Sequence, residues 1–475
     1  EAGDPGPAVF VMTSGNPGGE PICLGNREAR ARLDTMADAF LFHNRDILIR
    51  VDDSVTRPLP DGGTLFHRRA RGYVPRPIVI DAALSGEGAG VPCVFGAGAD
   101  LKNTLCLTKG ADAFVSQHIG DMNNVETGHF HGEIREHLAG LLRVRPDVLV
   151  RDRHPDFLSG RLSDEYAGER GLPVMTLQHH AAHAFALLAE HAFRGRALVL
   201  ALDGTGLGTD GALWGGELLL ADTGAARRGE AGWKRLGHMA PMDLPGGEAA
   251  IREPWRIAHA LLWRLGLLDG GGDAAFSPPW LPERAATAAL LPTMLVRGVN
   301  NPSSTSCGRF FDAASALLGL CDVITYEGQA AIRLEEAQGP ARPWDVEPER
   351  LYPCPVTRPE RGGPLLLDSR ALFRVLALDK AGGPEQSQNA EMALRFHHSL
   401  ARGLVDMAVL AAGEHGLDCV GLSGGCLHNL TLSTLLTRGL EAHGLRVLRH
   451  EQLSPGDGCI SLGQAFWGRL AAGGR

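Results

Sequence analysis

Three stretches of the chain share one pattern, in which a short apolar run ends in a glycine-rich segment. Residues 91–110, VPCVFGAGADLKNTLCLTKG, and 197–220, ALVLALDGTGLGTDGALWGGELLL, each contain two such runs. Continuous apolar runs between turn residues predict buried strands, so each stretch is expected to form a strand, a turn and a second strand. In the third stretch, 418–436, DCVGLSGGCLHNLTLSTLL, one strand and a glycine loop lead into a helical pattern.

The same patterning divides the chain into two unequal parts. Residues 1–78 alternate predicted strands, AVFVMTSGN and ILIRVDDSVTR, with a predicted helix in REARARLDTMADAF, and indicate an α/β unit. Residues 79–475 contain the repeated strand–turn–strand pattern, which predicts a two-lobed α/β architecture of the actin/sugar-kinase/Hsp70 kind. The first lobe is expected at about 90–195 and the second at about 196–475. The proline-rich segment 339–364 is predicted to lie outside the core.

The glycine-rich segments are candidates for phosphate contacts. Glycine allows backbone N–H groups to approach a phosphate closely, and a loop that opens a helix adds a field that favours an anion. The chain has neither a G-x-x-x-x-G-K-S/T loop nor a dinucleotide G-x-G-x-x-G in a βαβ unit. A single glycine turn is also explained by strand geometry alone. Three of them in one unit favour a nucleotide-binding cleft between the lobes.

A histidine pattern within an apolar helix predicts a metal site. In residues 176–191, TLQHHAAHAFALLAEH, His179 and His183 are four apart, so they share one helical face and can bind one ion. A core role is the alternative for either imidazole. Asp203, at the end of a predicted strand, and Asp457, in a loop before the last helix, are candidate oxygen ligands, with turn capping as the alternative for Asp203. Such a set suits iron(II) or zinc.

Composition excludes several classes of function. The 475 residues are 44% hydrophobic and 21% charged, which is typical of an ordinary globular protein of two to four domains. The formal charge is −9 and no basic run stands out, so no nucleic-acid partner is expected. No apolar stretch approaches the length of a membrane span, so no membrane partner is expected either. The nine cysteines form no Cys-x-x-Cys pair, which favours reduced thiols in a cytoplasm.

Nine segments follow one another along the chain in a characteristic order: GADLKNTLCLTKG, SQHIGDMNNVET, RHPDFLS, LQHHAAH, LDGTGLGTDGALWGGE, PGGEAAIREPWRIA, GRFFDAASALLGL, YEGQAAIRLE and LSGGCLHN. Together they resemble the HypF carbamoyltransferases, which begin the synthesis of the cyanide ligands of nickel–iron hydrogenase. The preceding VMTSGNPGGEPI and HNRDILIRVDDSVTR look like the second half of the family's YrdC-like domain. The resemblance implies a partial YrdC-like domain at 1–78, followed by a TsaD-like transfer domain at 79–475.

The resemblance also implies the chemistry. In the family, carbamoyl phosphate is hydrolysed in an acylphosphatase domain, and the carbamate is adenylated with ATP at the YrdC-like site. The TsaD-like site then passes the carbamoyl group from carbamoyl-AMP to the C-terminal cysteine of the partner protein HypE. The expected cofactors are therefore ATP or AMP and one divalent metal, iron or zinc. The sequence resembles the C-terminal part of such a protein, without the acylphosphatase and zinc-finger regions.

Residue by residue, the resemblance implies three groups of site residues. The metal ligands are His179, His183 and Asp457, with Asp203 as a fourth candidate, and Asp203 and His180 are expected to act on the substrate. The nucleotide contacts, from the phosphate end to the ribose, are Lys102, Asn103, Gly204, Thr205, Gly206, Asp312, Glu327, Gly328, Gly424, Gly425 and Asn429. The YrdC-like pocket includes Ser14, Asn16 and Arg50.

One departure from the family and two alternative functions bear on these expectations. Family members usually carry a further histidine where this chain has Ala181, but that position lies between the two ligand positions and points elsewhere on the helix. A small-molecule O-carbamoyltransferase or a tRNA threonylcarbamoyl-type enzyme is one alternative; the YrdC-like segment placed before the TsaD-like unit argues against it. The other alternative is a nucleotide-binding scaffold without catalysis, and the presence of every expected ligand argues against that.

Overall fold

The computed structural model describes residues 11–81, 91–268, 277–339, 346–382 and 388–473. In these ranges the strands are β1 (Val55–Pro58), β2 (Thr64–Arg68), β3 (Ile78–Val79), β4 (Val94–Gly96), β5 (Cys106–Lys109), β6 (Asp112–Val115), β7 (Val148–Asp152), β8 (Val174–Leu177), β9 (Arg196–Leu207), β10 (Leu213–Asp222), β11 (Trp233–Met239), β12 (Met242–Asp243), β13 (Ser303–Ser304), β14 (Val356–Thr357), β15 (Leu365–Leu367), β16 (Cys419–Ser423) and β17 (Arg446–Arg449).

The helices in the same ranges are α1 (Asn26–Leu33), α2 (Val125–Leu142), α3 (Leu158–Arg170), α4 (His179–Glu190), α5 (Thr223–Arg227), α6 (Glu248–Arg252), α7 (Trp255–Arg264), α8 (Leu281–Ala288), α9 (Leu291–Arg297), α10 (Cys307–Leu317), α11 (Gln329–Glu336), α12 (Ser369–Gly382), α13 (Asn389–His415), α14 (Leu430–Ala442) and α15 (Ile460–Ala472). Short 3-10 turns occur at Pro348–Arg350, Gly425–His428 and Asp457–Cys459. None of the helices described is both long and apolar enough to cross a membrane.

The two large sheets repeat one strand order. In the first sheet, β4, β5 and β6 form an antiparallel meander, and β7 and β8 add in parallel on the other side of β4. In the second sheet, β9, β10 and β11 form the meander, and β16 and β17 add in parallel beside β9. When the five core strands of each sheet are numbered along the chain, their order across the sheet is third, second, first, fourth, fifth in both cases. The duplication that the sequence predicted is present.

The final helix of each repeat packs between the two sheets. Helix α4 contacts β9, β10 and β16 of the second sheet, whereas α15 contacts β4 and β7 of the first. The sequence-based division assigned α15 to the second lobe, yet it lies on the first. The two helices also pack against each other at Gly463, where a Cβ would overlap the carbonyl oxygen of Ala182. Because only glycine allows this approach, the beginnings of α4 and α15 lie side by side.

Several predicted elements differ from the structure. Part of the AVFVMTSGN strand lies outside the described residues, and residues 11–16 form no strand, with Val11 and Met12 exposed. In ILIRVDDSVTR only Val55–Pro58 is a strand. Residues 340–345 of the proline-rich segment lie outside the described ranges, but Val356–Thr357 pairs with β15 and therefore joins the second sheet. Edge strands tolerate proline-rich surroundings, since one side of their backbone needs no partner.

The turn after Asp203 is also placed differently. Strand β9 continues through residues 204–206 and ends only at Leu207, so the chain reverses at 208–212. Small residues mark turns by default, but here the glycines lie within the strand because other groups approach them closely. A Cβ on Gly206 would lie 2.7 Å from Cε1 of His180 and 2.9 Å from Cδ2 of His179. Gly206 thus makes room for the histidines of α4.

Candidate metal and nucleotide site

Four predicted side chains from three parts of the chain converge between the two sheets. His179 and His183 lie one turn apart on α4, Asp203 lies on β9, and Asp457 begins the 3-10 turn before α15. One ligand atom from each of the four lies within 4.8 Å of all the others. The structure therefore brings together the whole set that the sequence proposed as metal ligands.

Gln178 fixes the start of helix α4 and hence the direction of both imidazoles. Its side-chain oxygen caps the helix by accepting a hydrogen bond from the N–H of Ala181 at 2.9 Å. Its side-chain amide donates a second hydrogen bond to the carbonyl of Leu207 at 3.1 Å. The same side chain thus ties the first turn of α4 to the end of β9. Every residue of α4 is buried, so the imidazoles cannot turn towards solvent.

The distances fit a shared ion. Nε2 of His179 lies 3.3 Å from Oδ2 of Asp203 and 3.5 Å from Oδ1 of Asp457. Nε2 of His183 lies 3.5 and 3.6 Å from the same two oxygens, and it is a buried atom that lacks a hydrogen-bond partner within the described residues. A buried nitrogen without a partner, facing two carboxylates, is the arrangement that a divalent cation would satisfy. The donor set fits iron(II) or zinc.

Outer hydrogen bonds orient two of these ligands. Nδ1 of His179 lies 3.0 Å from Oδ2 of Asp152, the last residue of β7, on the opposite side of the ring from the Nε2 atom that faces Asp203 and Asp457. The second oxygen of Asp203, Oδ1, accepts a hydrogen bond from the N–H of Gly425 at 2.9 Å. Carboxylate–histidine pairs of this kind set the tautomer of a metal-ligating imidazole. Because Asp152 ends a buried strand, its position was available as a signal in the sequence.

The electrostatics of the cluster are those of imidazolium ions among carboxylates. Burial alone would lower the pKa of His179, but Asp457, Asp152 and Asp203 raise that pKa well above its ordinary value. The pKa of His183 is likewise raised well above its ordinary value. Against burial, which would raise them, these imidazoles hold the pKa of Asp203 well below its usual range and lower that of Asp457 to about 2. A metal that binds here displaces protons from the imidazoles.

His180 lies beside the cluster but does not belong to it. Its Nδ1 is 3.0 Å from the amide nitrogen of Gln178, and its Nε2 is buried without a hydrogen-bond partner among the residues described. Burial and the neighbouring His179 hold the pKa of His180 well below its ordinary value, so the imidazole is neutral. A neutral, buried imidazole against Gly206 is suited to a substrate contact, and its catalytic role stays a prediction.

The predicted phosphate-end residues occupy two sides of the cluster. Residues 204–206 follow Asp203 on β9, and Ser306 donates a hydrogen bond to the carbonyl of Asp203 at 3.1 Å. Gly424 has φ +107°, and a Cβ there would overlap the carbonyl of Leu202. A Cβ on Gly425 would lie 2.9 Å from Oδ1 of Asp203. Gly424 and Gly425 are therefore required for the close approach of the third loop to Leu202 and Asp203, respectively.

Lys102 and Glu327 form an ion pair that joins the first sheet's hairpin to the start of α11. Gly328, with φ +77°, is the residue that precedes α11. The neighbouring Asn103 is fully buried, and its amide nitrogen donates to the carbonyls of Ala97 and Ala99 at 3.1 and 2.5 Å. Asn103 thus stabilises its own loop, and its contact with a nucleotide stays a prediction.

The other predicted nucleotide residues are also engaged within the protein. The Asp312 carboxylate lies 3.0 Å from the guanidinium of Arg309, and burial raises the pKa of Asp312 despite that arginine. Arg309 itself is buried next to Gly204, and nothing in the sequence pattern singled it out. Asn429 caps α14 by accepting a hydrogen bond from the N–H of Leu432 at 2.9 Å. These contacts position the side chains of Asp312 and Asn429. The contacts of both residues with a nucleotide stay predictions.

A cavity of about 420 Å³ lies between the N-terminal part and the first sheet. Its lining includes Ser14, Asn16 and Arg50 together with Lys102. Ser14 donates a hydrogen bond to Oδ1 of Asn16 at 2.6 Å, and Arg50 pairs with Glu28 and with Glu133 of helix α2. The three residues predicted for the YrdC-like pocket therefore line one cavity, and Lys102 belongs to both this cavity and the ion pair with Glu327.

The repeated sheets, the two helices between them and the His/Asp cluster define a two-lobed protein of the actin/sugar-kinase/Hsp70 class. Residues 199–464 match the model of the "Carbamoyltransferase, Kae1-like Domain, second subdomain", and residues 89–190 match that of the "HypF Kae1-like domain". The chain belongs to the HypF carbamoyltransferase family.

Individual relatives agree with this assignment. The carbamoyltransferase HypF2 of Cupriavidus necator is 43% identical over 477 residues, which cover 96% of this chain and 56% of the relative. A HypF homolog from the same organism is 39% identical and covers 78% of this chain and 90% of its own length. A crystal structure of full-length HypF in a phosphate- and nucleotide-bound form is 34% identical, with a TM-score of 0.82, and covers 96% of this chain and 67% of that one. The chain thus spans little more than half the length of HypF2.

Proposed function

We propose that the chain transfers a carbamoyl group from carbamoyl-AMP to the C-terminal cysteine thiol of HypE. The observation that carries this proposal is the convergence of His179, His183, Asp203 and Asp457 within 4.8 Å, beside the glycine strand and glycine loop. Membership in the HypF family supports the reaction type, and the phosphate- and nucleotide-bound form of one solved relative supports a bound nucleotide. On this proposal the acceptor thiol comes from the partner protein.

The geometry suits this chemistry. In the transfer the thiolate sulfur attacks the carbamoyl carbon, a C–S bond forms, the C–O bond to the phosphate breaks, and AMP leaves with that oxygen. A divalent iron or zinc ion held by the four residues would polarise the carbonyl or bind the phosphate. The buried walls around the cluster keep water away from the activated mixed anhydride, which would otherwise hydrolyse. The neutral imidazole of His180, next to Gly206, can contact the carbamoyl group as it reacts.

We place the nucleotide between residues 203–206 and residues 423–429, with its ribose towards Asp312, Glu327 and Gly328. Replacing Asp312 or Glu327 by alanine is expected to weaken AMP binding by roughly 1–3 kcal/mol each, the usual cost of losing a hydrogen bond to a charged group. Calorimetric titration with AMP measures this directly. Glu336→Ala is the matched control, since Glu336 is an exposed carboxylate at the end of α11, the helix that follows Glu327. Unchanged affinity in both site variants would remove the ribose assignment.

We further assign residues 1–78 to a YrdC-like unit whose pocket contains Ser14, Asn16 and Arg50. The cavity that these residues line supports this assignment, as does the alignment of the solved relative over 96% of the chain. In the whole family protein this pocket would adenylate carbamate with ATP, and carbamoyl phosphate would supply the carbamate. All nine cysteines are free thiols, which supports a reducing cytoplasm as the compartment.

The acceptor distinguishes the competing functions. The purified chain would be incubated with synthetic carbamoyl-AMP and one of three acceptors: HypE, an aminoglycoside or tRNA. We expect mass spectrometry to find a carbamoyl adduct on the C-terminal cysteine of HypE, and neither of the other acceptors modified. An adduct on the aminoglycoside or the tRNA would replace the proposed substrate. Binding of HypE without any adduct would instead indicate a scaffold.

A further inference from the structure

Behind the metal-ligand candidate His183 lies a buried chain of polar side chains. Nδ1 of His183 is 3.3 Å from Oγ of Ser423, whose hydroxyl is 2.9 Å from Nε2 of His450. Nδ1 of His450 is in turn 2.6 Å from Oε1 of Glu190. The exposed fraction is 8% for Glu190, 6% for His450 and zero for Ser423 and His183. The four residues therefore form one continuous hydrogen-bonded path with almost no access for water.

The path is anchored at the ends of a helix and two strands. Glu190 is the last residue of α4 and lies two turns after His183 on the same helix. Its other oxygen, Oε2, accepts hydrogen bonds from the N–H groups of Glu451 and Gln452 at 2.9 and 3.0 Å. Ser423 ends β16, and His450 directly follows β17. The path thus ties α4 to two parallel strands of the second sheet.

The hydrogen-bond geometry along the path favours one tautomer of a metal-bound His183. Burial alone would lower the pKa of His450, but Glu190 and Cys459 raise that pKa to about 10, so His450 is protonated on both nitrogens at neutral pH. Its Nε2–H donates to Oγ of Ser423 at 2.9 Å. When the Ser423 hydroxyl proton points to the carbonyl of Pro455, 3.5 Å away, Oγ is the acceptor towards Nδ1 of His183 at 3.3 Å.

We propose that His450, held by Glu190, is a positioning residue for the metal site and acts on His183 through Ser423. With Ser423 as an acceptor, Nδ1 of His183 carries its proton and Nε2 presents a lone pair towards Asp203 and Asp457. Sγ of Cys459, 3.4 Å from Nδ1 of His183, offers a second acceptor on the same side. His179 has the equivalent support from Asp152. Each imidazole of the pair is thus oriented by its own buried partner, and His450 touches neither metal nor substrate.

The inference rests on the metal site proposed above, so the test measures metal binding, not turnover. Zinc dissociation constants would be determined by competition with a chelator for the wild type, His450→Leu, Ser423→Ala and the double variant. Outer partners of a metal-ligating histidine typically contribute 10–100-fold to affinity, and we expect His450→Leu to weaken zinc binding by a factor in that range. Because His450 acts through Ser423, adding His450→Leu to Ser423→Ala should weaken binding little further.

Two further variants separate positioning from general stability. His450→Gln keeps a donor for Ser423 and is expected to recover most of the affinity. His191→Leu is the matched control, because His191 is next to Glu190 and bonds the carbonyl of Arg449 at 2.8 Å without joining the path. It should leave zinc affinity unchanged. Circular dichroism and denaturation would establish that each variant is folded; if His450→Leu is not, His450→Gln and Ser423→Ala carry the comparison.

Each result decides one of the two claims. If the wild type binds zinc and His450→Leu binds it equally well, the positioning role is overturned while the metal site stands. Additive losses in the double variant would also overturn it, because they would mean that His450 acts independently of Ser423. If the wild type binds no divalent metal, both the site and the positioning role fail.

Discussion

We expect the wild-type chain to carry about one iron or zinc ion, and replacing His179 and His183 together by alanine to leave the purified chain without metal. The four candidate ligand atoms lie within 4.8 Å of one another, and the two imidazoles supply both nitrogens of the set. With both removed, Asp203 and Asp457 alone would hold a soft divalent ion poorly. Elemental analysis of chains purified under identical conditions measures the difference.

His180→Ala is the control for this experiment. His180 lies on the same helix between the two ligands and is equally buried, but its ring is not part of the cluster. We expect the His180 variant to keep its metal, and the double variant to lose it while retaining its helical content. Equal metal content in the wild type and the double variant would contradict the assignment of these histidines as ligands.

Gly463→Ala is expected to destabilise the protein and weaken metal binding at the same time. The added methyl group would overlap the carbonyl of Ala182, so α15 would have to move away from α4. Overpacking of a well-packed contact usually costs 1–3 kcal/mol, and a rigid backbone oxygen places this case at about the upper end. Asp457 precedes α15 and the two histidines lie on α4, so the same shift separates the ligands.

The matched control is Gly413→Ala. Gly413 lies on the exposed side of helix α13 and has open space around its Cα, so alanine there should be neutral or stabilise by about 0.5–1 kcal/mol. Urea denaturation gives the free energy of unfolding for both variants, and elemental analysis gives the metal content. A Gly463 variant as stable as the wild type, with full metal content, would mean that the two helices do not constrain each other.

The spacing of residues predicted the centre of the site better than its surroundings. His179 and His183 are recognisable because a helix puts positions four apart on one face, and Asp203 and Asp457 because they follow strand and loop patterns. Asp152 lies at the end of a buried strand, a signal that could have been used. Glu190 and His450 carry no local signal, since their contact joins residues 260 apart in the sequence.

The duplicated fold could also be predicted, but element boundaries could not. Gly204 and Gly206 indicate a turn when only local preference is considered, whereas the structure keeps both in β9, where Gly206 leaves space for His179 and His180. Helix α4 packs on the second sheet and α15 packs on the first. This arrangement depends on contacts at Gly463 that no local sequence pattern specifies. Tertiary packing therefore determines where β9 ends and on which sheet α4 and α15 pack.

Carbamoyl transfer at the His/Asp cluster is the central claim, and the mass of the C-terminal peptide of HypE tests it most directly. The wild type and Asp203→Asn would each be incubated with carbamoyl-AMP, HypE and one equivalent of zinc or iron(II), and the peptide would be analysed at early times. The account predicts one added carbamoyl group on the terminal cysteine with the wild type, and a rate that falls to the uncatalysed level with Asp203→Asn. Equal rates for the two chains, or an unmodified cysteine with the metal-loaded wild type, would contradict it.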